Sequence, residues 1–283
     1  MTKEIFKRIP PLEMTEHEYR SHPAISRSEL WRIRESPEKF KWFKDHPLGS
    51  TDAFLFGQYV HALLLEPDKV SQRFYVMPEI NLRTKEGRQR RDDIIAGCAE
   101  SGITVIDQDM VNQAKEMIAR CRADDEVMAL LDGVHEQPFF WVDELTGEQC
   151  KCRTDALTIV DGELAIVDYK STNNAMTHKF VRDMYSYGYH FQAGMYCTGV
   201  KEAMGLTKLP RFIFIAQEKK APYSINRIEL PEDVIQYGVD VFRELIGTYH
   251  DCKEMDWWYG YNGVTGLTNE AYMLEYLKEG DDE

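Results

Sequence analysis

Two carboxylates and an ammonium stand in stretches whose pattern would bury them. In Ala165-Ile166-Val167-Asp168-Tyr169-Lys170 an acid interrupts an apolar run, and Asp155 sits at the end of an otherwise ordinary strand segment. A carboxylate in a buried strand is expensive unless it is paired or holds a metal. Strand geometry puts Asp168 and Lys170 on one face and Tyr169 on the other. A hairpin would bring Asp155 toward Asp168. Two such carboxylates repel, and a divalent cation relieves the repulsion. Oxygen ligands with few thiols or imidazoles favour Mg2+ or Mn2+ over zinc. Lys170 is then placed to orient or acidify a water against a phosphodiester, the metal stabilising the charge that develops. The competing reading is a plain ion pair between Asp168 and Lys170 on an edge strand.

Other residues gain meaning from spacing. Gln192 and Tyr196, at i and i+4, share one helical face, and core packing is an equal reading of the Tyr196 ring. His61, alone in an apolar helical stretch, is more often a satisfied histidine than a ligand. Arg83, Lys85, Arg88, Arg90 and Arg91 crowd a window with one acid, Glu86, inside a charge-rich segment, 81–93, expected to be a loop. Beside a phosphodiester-cleaving centre such a loop would track phosphates. Cations alternate with aromatics from Trp31 to Lys44, a pattern that suits base stacking or a plain core. Ser28, Arg27 and Arg32 are candidates for holding a DNA end. Arg153 could contact phosphate or pair with a carboxylate.

The elements that must position these residues are legible in outline. Ser26-Arg27-Ser28-Glu29 opens like a capped helix, and Ser36-Pro37 restarts one with proline at the first helical position. Phe54–Leu65 is apolar at helical spacing and stops at Glu66-Pro67, and 107–132 reads as one long amphipathic helix. Residues 136–142, 149–159 and 163–170 read as strands joined at Thr146-Gly147 and Asp161-Gly162. A helix follows at about 187–204, then strands at 211–216 and 223–229, then a helix from Pro231 to about His250. The tail Glu279–Glu283 reads as a solvated end. The expectation is a mixed α/β fold.

Composition sets the bounds. The 283 residues carry 34 Lys+Arg against 48 Asp+Glu, a formal charge of −14, which taken alone argues against nucleic acid. With 43% apolar and 12% aromatic residues the chain can build a real core. No apolar run approaches the ~18–20 residues of a membrane span, and the opening MTKEIFKRIP has no signal-peptide core. Six scattered cysteines are expected to be reduced thiols of a cytoplasmic protein. Cys150-Lys-Cys152 lacks the second closely spaced pair of a zinc site. No helix-turn-helix, zinc-finger or phosphate-binding-loop pattern occurs.

Four ordered motifs carry a resemblance. Asp155…Asp168-Tyr169-Lys170 resembles the core of the PD-(D/E)xK nucleases, with Thr154 in place of the proline. Gly57-Gln-Tyr-Val-His61 with Leu65-Glu66-Pro67, and Gln192-Ala-Gly-Met-Tyr196, resemble the GxxxH…LEP and QxxxY motifs of the RecB-type branch. From about Ala24 to Tyr249 the chain is similar to the exodeoxyribonuclease VIII (RecE-type) nuclease domains of phage recombination systems.

That resemblance implies a restriction-endonuclease-like core: a central mixed sheet flanked by helices. It implies one nuclease domain over 1–283, with a helical part at 1–50, the core at 51–250 and an extension at 251–283. It implies metal ligation by His61, Asp155, Asp168 and the Tyr169 carbonyl, a role for Lys170 in positioning water, and Gln192 and Tyr196 lining the site. Glu136 matches an acidic position facing a second metal. Implied further are Mg2+- or Mn2+-dependent 5′→3′ digestion of linear duplex DNA leaving 3′ single strands, a ring-like homo-oligomer, a RecT-like single-strand annealing partner, no membrane association, and a bacterial or phage-infected cell. A Cas4-like or other RecB-type nuclease of different polarity, and a DNA-end-binding scaffold without catalysis, are the competing expectations. Only Cys197 and Cys252 follow Lys170, too few for the cluster of the Cas4-like members.

Overall fold

The structure, a computed structural model, describes residues 5–10, 14–47, 49 and 51–261. The predicted solvated end and most of the expected extension lie outside these residues. Two short strands, β1 (Phe74–Val76) and β2 (Thr104–Ile106), pair in parallel. The main sheet has the order β3 (Val134–Val142), β4 (Gln149–Val160), β5 (Glu163–Thr172), β6 (Arg211–Glu218), β7 (Ile225–Glu229). All its pairs are antiparallel except β5–β6. Asp161 and Gly162 close the β4–β5 hairpin with φ of 53° and 83°, the doubly left-handed turn whose twist suits paired strands.

Why β5 reads as a continuous apolar run is now clear, because it is central and both of its faces are covered. Leu164 and Ile166 pack into one core cluster, and Ala165, Val167 and Tyr169 into the other. Asp168 is therefore 1% exposed on an inner strand, and the edge-strand reading of the Asp168–Lys170 pair is corrected.

The helices follow their caps. α1 (Glu16–Ser21) begins at a Thr15/Glu18 capping box, and α2 (Arg27–Glu35) at the Ser26/Glu29 box. α3 (Pro37–Asp45) starts at Ser36 and α4 (Asp52–Leu65) at Thr51. The charge-rich segment is not a loop, because the Thr84 hydroxyl accepts from the Gly87 amide and starts α5 (Lys85–Glu100). Nor is 107–132 one helix. α6 (Gln108–Arg122) ends before Asp124, whose carboxylate accepts from the Val127 amide and starts α7 (Asp125–Leu130). Sequence reading missed α8 (Thr177–Ser186), which precedes α9 (Tyr189–Met204); α10 (Glu232–Glu254) runs past His250.

α8 and α9 make the crossover between the parallel strands β5 and β6. α9 buries eleven of its sixteen residues and meets α10 backbone to backbone: a Cβ at Gly194 would lie 2.1 Å from the Gly238 carbonyl carbon. One face of the sheet is thus covered by α2, α3, α9 and α10, the other by α4 and α6.

Candidate active site

The site lies where β3 and β4 change phase. Val134, Phe139 and Trp141 all pack in one core cluster, as do Cys150, Cys152 and Leu157. Strict alternation would put residues five apart on opposite faces. The kink is Glu136, a non-glycine residue at φ 49°, a conformation that persists only where its surroundings enforce it. Past the kink, the carboxylates of Glu136 on β3 and Asp155 on β4 meet the ring of His61 on α4. Ligand atoms of these three residues lie within 4.8 Å of one another.

The chemistry of that trio is one-sided. His61 Nε2 lies 2.9 Å from the Tyr169 carbonyl, which can only accept, so this nitrogen carries the proton. Burial lowers the His61 pKa and favours the neutral ring. Nδ1 then presents a lone pair 3.6 Å from Asp155 Oδ2 and 4.0 Å from Glu136 Oε1. Three metal-ligating atoms converge there, and the raised pKa values of the two carboxyls show what bringing them together costs without a cation. A backbone carbonyl fixing the outer nitrogen is how metal-binding histidines are commonly oriented, so the residues fit a hard divalent cation. Asp155 Oδ2 accepts a hydrogen bond from the Tyr169 amide at 2.8 Å. Its pKa is raised by burial and then by the charge of Asp168. Burial pushes Glu136 up to about 7, against the pull of Arg153. These are the carboxylates whose repulsion and desolvation a cation would relieve.

Asp168 and Lys170 stand beside the trio. Lys170 Nζ is 2.6 Å from Asp168 Oδ2, and Gln192 donates its amide to Asp168 Oδ1. Although burial disfavours the ammonium, Asp168 and Asp155 hold the Lys170 pKa above its ordinary value. Below the floor, the Tyr169 hydroxyl donates to Gln217 Oε1 at 2.6 Å, and Gln217 donates to the Met117 carbonyl at 3.0 Å. This buried network fixes the strand that carries Asp168 and Lys170.

All of this opens into one cavity of about 800 Å³. It brings together His61, Glu136, Asp155, Asp168, Tyr169, Lys170, Gln192 and Tyr196, together with Ser28, Arg32 and Arg153. Arg153 is occupied by carboxylates, with Nε 2.8 Å from Glu136 Oε2 and Nη1 paired to Glu16. The guanidinium of Arg32 lies 4.9 Å from the Phe43 ring centroid.

The basic cluster sits elsewhere. Arg83 precedes α5, and Lys85, Arg88, Arg90 and Arg91 lie on it; α5 buries none of its residues, and none of these five lines the cavity. Arg88 donates to the Leu82 and Arg83 carbonyls, and Arg91 pairs with Asp92. Residues missed by sequence reasoning are Glu16, Tyr19, Arg73 and Tyr189, which also line the cavity. The Thr15-x-x-Glu18 box was an available signal for the helix that carries Glu16 and Tyr19; nothing local marks Arg73 or Tyr189.

A family model described as a PDDEXK-like domain of unknown function (DUF3799) matches residues 26–268. Among solved structures, that of a presumed exonuclease from Eubacterium rectale is similar at TM-score 0.57 and 17% identity, over 93% of this chain and 98% of that one. The structure of SSO0001 aligns at TM-score 0.36 and 12% identity, over 86% of this chain and 83% of its own. No curated protein matches. Among the described residues no helix is long and apolar enough to cross a membrane.

Proposed function

This chain belongs to the DUF3799 family of PDDEXK-like domains, and from that premise we propose that it is a Mg2+- or Mn2+-dependent deoxyribonuclease. The reading extends to the exodeoxyribonuclease VIII kind, which digests linear duplex DNA 5′→3′ and leaves 3′ single strands for annealing. The observation that carries it is the convergence of His61 Nδ1, Glu136 and Asp155, all potential metal ligands, next to the Asp168–Lys170 pair.

A divalent cation held by His61, Glu136 and Asp155, with Asp168 adjoining, would supply Lewis-acid stabilisation of charge on the scissile phosphate. The protein's own groups do the rest. Lys170, kept protonated by its carboxylates, orients the attacking water and donates to the developing negative charge. Gln192 holds Asp168 in place, and the Tyr169 carbonyl holds His61 in the tautomer that faces the carboxylates. Arg27 and Arg32, with Ser28, line the wall along which a phosphate backbone would run. Ring assembly, a RecT-like annealing partner and a cytoplasmic setting belong to this proposal on the strength of the resemblance.

The test is digestion of linear duplex DNA in Mg2+, labelled at the 5′ or the 3′ ends, with covalently closed circles alongside. Release of the 5′ label, intact circles and an inactive Lys170→Ala protein are expected. Release from neither end would overturn the nuclease reading, and release of the 3′ label first would overturn the polarity.

A further inference from the structure

A turn at the cavity rim has features that the catalytic reading does not use. Tyr187 ends α8, Gly188 follows at φ 70°, and Tyr189 begins α9. A Cβ on Gly188 would lie 2.6 Å from the Trp31 indole, so only glycine lets the turn sit against α2. Arg27 donates to the Tyr187 carbonyl and holds the turn from the cavity side, while its Nε is buried without a hydrogen-bond partner among the described residues.

Tyr189 forms the wall. Its ring is backed by Phe180 and Phe214, with centroids at 6.1 and 5.9 Å, and Lys170 Nζ lies 4.9 Å from its centroid. The next ring outward is Tyr187, 5.8 Å from Tyr189 and tilted by 37°, and this ring is 57% exposed. Tyr185 and Tyr237, also exposed, are instead engaged with His190 at 4.8 and 5.4 Å. An aromatic step thus leads from the catalytic lysine to an open ring, with the Arg27 guanidinium carbon 6.0 Å from the Tyr189 centroid.

Rings beside cations bind unpaired nucleobases without sequence preference, because every base offers a π-face. The ring-to-ring step of 5.8 Å spans about two bases at ~3.4 Å each. We infer that Tyr187 stacks on a base of an unpaired DNA strand whose phosphates run past Arg27 and Lys170. This rests on the nuclease reading and adds to it: the cavity receives a strand already separated from its complement at this rim.

The probe is a fluorescein-labelled ten-nucleotide oligo-dT, its anisotropy followed in EDTA so that nothing is cut, with an abasic strand of equal length as the charge-matched comparison. Tyr187→Ala is expected to weaken oligo-dT binding about tenfold. Tyr187→Phe, which keeps the ring, and Tyr237→Ala should bind like the wild type, and the abasic strand should bind all four proteins alike. Unchanged oligo-dT binding by Tyr187→Ala overturns the inference, as does an equal loss for the abasic strand. Wild-type protein that binds oligo-dT through Tyr187 yet cuts no DNA in Mg2+ overturns the nuclease reading and leaves the stacking site standing.

Discussion

Replacing Glu136 by Gln should stabilise the metal-free protein and weaken its hold on a divalent cation. Burial raises this carboxyl from 4.5 to about 7. Below about 4.5 both the folded and the unfolded chain keep the proton. Between that value and about 7 only the folded chain keeps it, so folding is progressively disfavoured as pH rises through the window. The gap, at about 1.4 kcal/mol per pH unit, is worth about 3 kcal/mol. Glutamine has no proton to lose, so the stability of the wild type relative to Glu136→Gln should fall by about that amount between pH 4.5 and 7.5. Loss of the Arg153 contact is cushioned, because Glu16 still pairs with that guanidinium. His61 acts with the opposite sign, since its lowered pKa withdraws stability as pH falls through the ordinary histidine value, and without the Glu136 charge its pKa falls further in the variant. Urea unfolding in EDTA at several pH values measures the difference. Mn2+ at a hundredfold excess over its Kd should then stabilise the wild type by about 2.7 kcal/mol and the variant by much less. A difference that is flat or rises with pH would refute the burial argument. Equal Mn2+ stabilisation of both proteins would refute Glu136 as a ligand.

Two further perturbations probe what positions the site. Gln217→Leu strands the Tyr169 hydroxyl and the Met117 carbonyl in the interior, and should cost about 2–3 kcal/mol in urea unfolding; a loss below about 0.5 kcal/mol would show that the network is not holding β5. Gly194→Ala must force apart α9 and α10, which touch through Gly194 and Gly238, so thermal unfolding should register about 3 kcal/mol of destabilisation. Ala at Gly97, where a side chain would meet nothing within 4 Å, should leave stability unchanged or slightly raised.

What the sequence revealed were the features encoded by neighbouring residues. Ser26 and Ser36 announce helices because the capping oxygen and the amide it serves are three residues apart. Asp168 and Lys170 announce a site because strand geometry alone puts i and i+2 together. The failures are of another kind. Arg-rich 81–93 was expected to be a loop from its charge, although Thr84 and the three-residue offset to Gly87 are a cap signal. Asp124 breaks 107–132 by the same device. The resemblance had marked Glu136, but the kink it makes is legible only in three dimensions, since its left-handed φ depends on the strands and the His61 ring that enclose it. Tyr189 and Arg27 reach the cavity because Gly188 packs on Trp31, a contact between segments about 160 residues apart.

The charge of −14 and the proposed binding of phosphates in the cavity are compatible because the two describe different surfaces. Around the cavity eight lysines and arginines face five acidic residues, the reverse of the balance in the whole chain. Nor do those five act as five full charges. Glu16 is taken by Arg153 and Asp168 by Lys170, Glu29 lies 3.8 Å from Lys44, and burial keeps Glu136 and Asp155 inclined to hold protons. Each of those pairs also occupies a cation, and Arg73 pairs with Glu66, so the positive balance at the opening is modest and rests on Arg27 and Arg32, whose field low-dielectric walls concentrate. The Arg83–Arg91 cluster contributes nothing to that lining, so under the proposed function the basic path would run instead over α2, α3, β4 and β5. A linear count of charges cannot find such a path, because its members meet only after the sheet has folded.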